Sequence, residues 1–209
     1  MPTDILSITV LLASPGDVDR ERGMVRKAVE EVNLNTGEAE GFHIVVKGWE
    51  THSRPAGGRA QGNITRQIGP TDIFLGIMWA RLGSPTGKAS SGTVEEYEDA
   101  IRIRKRSRRA LKPSVMFYFK TKSPRNLRDL DPDQLAAVRA FKARVFKENL
   151  AAEFETAPQL ERMVRRHLTA EAREIAQAHR GKGGTRTPAR STSTKPTPKA
   201  RQTTPPPAR

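Results

Sequence analysis

The sequence has no cysteine among its 209 residues, which excludes a disulfide framework, a thiolate nucleophile and a Cys-ligated zinc. Its four histidines show no metal-ligand spacing, and we predict no metal site. They are His43, His52, His167 and His179. The absence of cysteine fits a reducing compartment, so we expect a cytoplasmic protein.

Long apolar runs are also missing. A membrane-spanning helix needs about 20 consecutive apolar residues, whereas the run from Ile5 to Ala13 holds nine residues. No positive charge precedes that run, and a helix-start motif follows it directly, so it does not resemble a signal peptide. We interpret it as a buried strand and expect no membrane partner.

Acidic residues are absent from the two segments that hold the excess positive charge. The formal net charge is +14, but residues 180–209 hold eight Lys or Arg and residues 102–112 hold seven, with no acid in either. The rest of the chain carries 22 basic and 23 acidic residues and is close to neutral. The basic tail therefore predicts weak, nonspecific nucleic-acid contact, which salt would suppress.

Predicted strands alternate with predicted helices along the chain. The strands are Ile5–Ala13, His43–Glu50, Asp72–Trp79, Val115–Phe119 and Ala151–Glu155. Helices are predicted from Ser14, over Thr93–Arg106, over Pro132–Glu148 after an Asp131 cap, and over Ala157–His179, with a turn at Asn35–Gly41. This alternation predicts an α/β fold, a parallel sheet of about five strands with helices on both faces. We assign residues 1–179 to this domain and expect 180–209 to be a disordered Pro/Thr-rich tail.

The start of the first helix has two interpretations. Ser14 is placed to cap it, Pro15 fits the first helical position, and Asp17 stands three residues after Ser14 as in a capping box. Plain capping explains these residues. Alternatively, the amides at this helix start, near Gly16, bind a phosphate at the carboxyl edge of the sheet.

Residues 81–90, RLGSPTGKAS, follow a predicted strand and look like a phosphate-binding P-loop. The spacing does not fit, because three residues instead of four separate Gly83 from Gly87. Ala89 follows Lys88 and lacks the hydroxyl that would hold magnesium. We therefore do not expect hydrolysis of nucleoside triphosphates.

Two adjacent glutamates, Glu95 and Glu96, open the helix that follows this loop, with Ser91 or Thr93 as its cap. Neighbouring helical residues point about 100° apart, so one glutamate can face a cleft while the other faces solvent. Glu96 shares a face with small and apolar residues and is the predicted inward one. A carboxylate there could stabilise an oxocarbenium-like transition state at a ribose; helix-dipole stabilisation is the simpler alternative.

Three side chains at strand ends are further candidates. Trp49 and Trp79 end two predicted strands, and a Trp there either stacks on a base or packs in the core. Arg81 would contact a phosphate or pair with an acid. His52 lies in the loop 51–61, which is long enough to fold over a site.

Several motifs together resemble a bacterial TIR-like domain family of undefined function, related to TIR domains. They are ASPGDVDRER (13–22), WETHSRP (49–55), Gln61, DIFLGIMWARLGSPTG (72–87), SGTVEEYEDA (91–100) and VMFYF (115–119). The resemblance spans roughly residues 5–170 and implies a flavodoxin-like sheet of about five parallel strands.

The resemblance also implies alternatives for function. TIR domains are either self-associating signalling modules or enzymes that cleave NAD at the nicotinamide–ribose bond with a glutamate, which Glu96 resembles in position. Gly92 and Thr93 stand here where that glutamate usually has a Trp-Cys pair beside it. NAD is then the expected substrate, and no cofactor is required.

A dinucleotide cleft of this kind would be formed by residues from the strand ends and the loop before Glu96. The expected lining residues are Ser14, Gly16, Trp79, Arg81, Gly83, Ser91 and Thr93. The alternative is a signalling or defence module that self-associates or binds a protein partner without catalysis.

Overall fold

A computed structural model describes residues 5–48, 71–107, 112–124 and 130–183. The predictions for the loop 51–61, Trp49, His52, Gln61 and residues 184–209 lie outside these ranges. No helix within them is long and apolar enough to cross a membrane.

The described chain forms a five-stranded, all-parallel sheet with helices on both faces, which confirms the predicted flavodoxin-like α/β fold. The strands are β1 (Leu6–Ala13), β2 (Phe42–Lys47), β3 (Ile73–Met78), β4 (Ser114–Lys120) and β5 (Leu150–Phe154). The helices are α1 (Asp19–Val32), α2 (Glu38–Glu40), α3 (Gly92–Arg106), α4 (Pro132–Glu148) and α5 (Ala157–Gly183). The strand order β2-β1-β3-β4-β5 places a topological switch point between β1 and β3.

Two apolar cores lie on opposite faces of the sheet because successive strand residues point to opposite sides. In β3, Phe74 and Met78 belong to the core under α3 and α4, while Ile73, Leu75 and Ile77 belong to the core under α1 and α5. All six residues of β3 are buried, so this strand is covered on both faces. The valines of α1 are also buried and belong to the core under α1 and α5.

The chain after α1 differs from the prediction. The segment expected as a turn continues instead as a π-helical turn, Asn33–Gly37, and then as α2. The side chain of Asn33 bonds both backbone groups of Ile44 at 2.8 and 2.9 Å, which ties this helical extension to β2. Helical structure ends at Gly41, whose φ of 71° favours glycine.

Helix α4 begins as predicted. Asp131 caps it, with its Oδ1 accepting from the amides of Asp133 and Gln134 at 2.9 and 3.1 Å. Helix α5 ends at Gly183, four residues beyond the predicted boundary at His179.

Gly76 lies in the middle of β3, under the ring of Phe117. A Cβ at this position would lie 2.3 Å from Cε2 of Phe117, so Gly76→Ala should lower the free energy of unfolding by about 1–3 kcal/mol. Gly23→Ala in α1 is the control, because an added Cβ meets nothing within 4 Å there. It should raise stability by about 0.5–1 kcal/mol through helix propensity. Urea unfolding measures both, and an unchanged midpoint for Gly76→Ala would contradict the packing argument.

Candidate functional site

Asp17 joins the two chain segments that border the switch point. Oδ2 of Asp17, in the turn between β1 and α1, accepts hydrogen bonds from the amides of Ala80 and Arg81, each at 3.0 Å. These two amides directly follow β3. The turn after β1 and the loop after β3 are therefore held together by a single carboxylate oxygen.

The predicted capping box at the start of α1 is wrong. The short 3-10 turn Gly16–Val18 precedes α1, with Pro15 at its N-cap position and no side-chain capping bond. Oγ of the buried Ser14 instead accepts from Arg22 at 3.0 Å, and Asp17 binds the loop after β3. Sequence spacing could not show this, because the competing donors lie 63 and 64 residues away from Asp17.

The loop after β3 is held from a second side by Gln134 at the start of α4. Its Oε1 accepts from the amides of Leu82 and Gly83 at 2.9 and 3.2 Å. Together with the bonds to Asp17, these contacts use four successive amides, those of residues 80–83. The backbone that resembles a phosphate-binding loop thus donates to side chains of the protein itself.

Ser91 is the cap of α3, as predicted. Its Oγ accepts from the amide of Val94 at 3.2 Å, and the residue is fully buried together with Thr93. A Cβ on Gly83, whose φ is 103°, would lie 3.2 Å from Cβ of Ser91. This close approach and the positive φ explain why a glycine is needed at position 83.

Glu95 holds the rest of the loop against α3. Its Oε2 accepts from Oγ1 of Thr86 at 2.6 Å, and its Oε1 lies 3.5 Å from Nζ of Lys88. Lys88 Nζ also lies 3.5 Å from Oδ1 of Asp99. Lys88 stands where a P-loop would have its phosphate-binding lysine, but here it forms ion pairs with two acids of α3.

Both glutamates of the pair are buried, which corrects the expectation that one of them faces solvent. Glu95 is 1% exposed and Glu96 is 6% exposed. Glu96 is buried on the helical face that was predicted to point inward, whereas Ile103, further along the same face near the end of α3, is exposed. The loop covers Glu95, and this tertiary contact is invisible in helical periodicity.

A cleft of about 900 Å³ lies at the carboxyl edge of the sheet, on the side covered by α1 and α5. Its walls come from the turn before α1 and the first turn of α1, from Trp79 after β3, from residues 120–124 without Thr121, and from residues 155–158 at the start of α5. Loops from four of the five strands border it. Parallel α/β sheets bind their ligands at this edge.

A buried ion pair forms one wall of this cleft. Nζ of Lys120 lies 2.9 Å from Oε1 of Glu21, and their side chains are 15% and 4% exposed. The same ammonium lies 4.0 Å from the centroid of the Trp79 ring. Nε1 of Trp79 donates to the carbonyl of Lys122 at 2.7 Å, which fixes the indole beside the pair.

The structure separates the predicted site residues into two groups. Gly16 and Trp79 line the cleft beside α1 and α5. Gly83, Ser91, Thr93 and Glu96 belong to the loop and helix on the other face, where Val94 and Tyr97 of α3 join the opposite core. Ser14 and Arg81 lie near the switch point; the Arg81 side chain is exposed.

Sequence reasoning missed Glu21, Lys120 and Gln134. Lys120 had a usable signal, because it directly follows the buried run Val115–Phe119 and so comes at the carboxyl edge. Glu21 and Gln134 resemble ordinary first-turn residues and carry no such signal. Within the described ranges, no group of three or more His, Asp or Glu side chains is arranged to hold a metal ion.

These features define the class of protein: a flavodoxin-like α/β domain whose crossover loops meet at the carboxyl edge of a parallel sheet. Residues 12–169 match the family described as a domain of unknown function, DUF4062, and the chain belongs to that family. No curated protein matches the chain. Among solved structures it is similar to RosB with bound intermediate OHC-RP (8-demethyl-8-formylriboflavin-5'-phosphate), over 96% of each chain at 13% identity and a TM-score of 0.36. That level of similarity says nothing about the chemistry of this chain.

The carboxyl of Asp17 should make stability depend on pH. Burial raises its pKa above the ordinary value of 3.8, although the amides of Ala80 and Arg81 oppose the shift. An acid whose pKa is raised on folding contributes stability that is fully present below pH 3.8 and is lost as the pH rises through the raised pKa.

In the variant Asp17→Asn the side chain is neutral at every pH, so the variant does not lose stability through ionisation at this position. Its free energy of unfolding, relative to the wild type, should therefore increase as the pH rises from below 3.8 through the raised pKa. A constant offset from the altered hydrogen bonds does not affect this slope. Urea unfolding at a series of pH values measures the difference, and a difference that decreases with pH would show that the amide bonds outweigh burial.

Proposed function

We propose that this protein is a TIR-related signalling or defence domain that binds NAD and cleaves its nicotinamide–ribose bond. The observation that supports this proposal is the burial of two adjacent carboxylates near the start of α3, the helix that follows the strand at the switch point. Glu95 has a structural role in holding the loop. Glu96, which resembles the TIR glutamate in position, is the proposed catalytic residue.

The proposed chemistry needs one carboxylate. Nicotinamide leaves with the electron pair of the C–N bond, and water adds to the same ribose carbon and loses a proton, which gives ADP-ribose. Positive charge develops on the ribose in between, and a carboxylate close to that ring stabilises the oxocarbenium-like transition state. Such stabilisation is stronger where water is excluded, because the effective dielectric constant is lower there. At 6% exposure, Glu96 is shielded from bulk water.

The remaining proposed contacts come from the loops around Glu96. Ser91 and Thr93 flank the start of α3, and Gly83 gives the loop its close approach to Ser91. Arg81, with an exposed side chain, is the proposed cation for the diphosphate of NAD. NAD is the substrate here, and the proposed reaction needs no separate cofactor.

Replacement of Glu96 tests the proposal. Glu96→Gln keeps the side-chain volume but removes the charge, so nicotinamide release from NAD should fall by about 100-fold or more. Glu98→Gln is the matched control, since Glu98 lies on the same helix, has a side chain that is 41% exposed and pairs only with Arg144 among the described residues. Chromatography of released nicotinamide across protein concentrations measures both. Equal rates for the two variants, or no release by the wild type, would refute the catalytic role.

Self-association is the second candidate. Among the described residues, two large apolar side chains are exposed on helices that cover the same face of the sheet, Ile103 on α3 and Phe146 on α4. Apolar residues exposed together on one face favour a protein contact.

Light scattering tests this candidate. If the face forms a contact, the wild type should assemble at high concentration, and Ile103→Ser should shift it toward monomer because a polar group replaces the apolar one. Arg104→Ser, an exposed position next to it, should not. A wild type that stays monomeric at every concentration would exclude self-association.

A further inference from the structure

The cleft beside α1 and α5 is lined by three cations and four acids, and two of the cations pair with none of these acids. Asp19 pairs with Arg22, Glu21 pairs with Lys120, and Asp17 binds two amides. Among the residues that the structure describes, Arg20 and Lys122 have no ion-pair partner. Glu155, at the far wall, is the remaining acid of the lining.

The position of these cations favours a ligand over plain solvation. Arg20 comes from α1, and Lys120 and Lys122 come from the end of β4, so the charges approach one space from two different elements. Lys120 is also held in place by Glu21 on one side and the Trp79 ring on the other. Burying an ion pair costs desolvation energy, which the attraction between the two charges must offset, so Lys120 stays charged and fixed at the edge of the cleft.

The backbone offers little to an anion at this edge. The amides of residues 80–83 already donate to Asp17 and Gln134. A phosphate in the cleft would therefore be bound mainly by side chains. Lys120 is already paired with Glu21, so Arg20 and Lys122 are the charges left for a ligand with more than one negative charge, and arginine and lysine are the usual side chains for phosphate.

We propose that this cleft is a binding site for a small molecule that carries a diphosphate group, separate from the site around Glu96. Arg20 and Lys122 bind the phosphates, Lys120 adds a fixed charge, and Trp79 borders the rest of the ligand. The volume of about 900 Å³ is large enough for a nucleotide. Inorganic pyrophosphate and a nucleoside diphosphate share this chemistry, and both serve as probes.

The experiment is a titration with pyrophosphate and with ADP, followed by calorimetry and by Trp79 fluorescence. A Trp49→Phe background leaves Trp79 as the only indole, because the sequence has two tryptophans. Arg20→Gln/Lys122→Gln should weaken binding at least tenfold. Lys120 is kept, since its removal would leave the buried Glu21 carboxylate without its partner.

A matched control is necessary in a chain with a net charge of +14. Arg104→Gln/Lys105→Gln removes the same two charges from exposed positions on α3, and it should weaken binding less than twofold at 150 mM salt. Equal weakening by both pairs would reduce the effect to nonspecific attraction and overturn the proposal. Absence of binding of both probes at millimolar concentration would also overturn it.

Two further comparisons complete the test. Tighter binding of ADP than of pyrophosphate, with a change in Trp79 fluorescence, assigns the ligand to the nucleotides; equal affinities assign it to the inorganic ion, and both support a diphosphate site. Glu96→Gln should leave the affinity of this cleft unchanged, because α3 lies on the other face of the sheet. A parallel loss of affinity would contradict a separate site. Failure of NAD cleavage alone would leave this proposal standing.

Discussion

The contact between Asp17 and the amides of Ala80 and Arg81 is the constraint on which the carboxyl edge of this domain depends. The crossovers on either side of the switch point diverge, and such a divergence normally leaves a crevice. Here a side chain from one crossover spans the gap and takes the amides of the other. The cleft that the structure describes at this edge lies to one side of the contact, beside α1 and α5.

The same contact explains why the loop after β3 resembles a phosphate-binding loop without the geometry of one. Glycine-rich loops bind phosphate through successive amides that point into one concavity. In this protein the four amides of residues 80–83 point at two side-chain oxygens, from Asp17 and Gln134. The carboxylate of Asp17 and the side-chain amide of Gln134 accept the hydrogen bonds that a bound phosphate accepts in a phosphate-binding loop.

Local signals were sufficient to predict most of the fold from the sequence. Apolar runs marked the first four strands, and the caps at Ser91 and Asp131 placed two helix starts correctly. Where prediction failed, a distant partner decided the outcome. Ser14 and Asp17 suited a local cap, but Arg22 and the loop after β3 compete for them. The helix end near Asn33 failed likewise, because its side chain bonds to β2 instead of starting a turn.

The candidate sites were less predictable than the fold for a related reason. Membership of a cleft depends on which strand ends are neighbours, and β1 and β3 are neighbours although β2 lies between them in the chain. From the sequence, Trp79 and Glu96 were expected to line the same cleft. In the structure, Trp79 packs on the side of α1 and α5, whereas Glu96 belongs to α3 on the other face of the sheet. Lys120 and Glu21 meet across 99 residues, a pairing that no single-chain pattern encodes.

The strand order also bears on how the domain is built during translation. β1 is an interior strand, yet one of its two neighbours, β3, is made much later; Thr9 and Asp72, which bond to each other, are 63 positions apart. Until β3 leaves the ribosome, an apolar strand edge stays uncovered, and such edges attract other chains. The growing chain of this protein therefore passes through a stage in which one edge of β1 is unpaired.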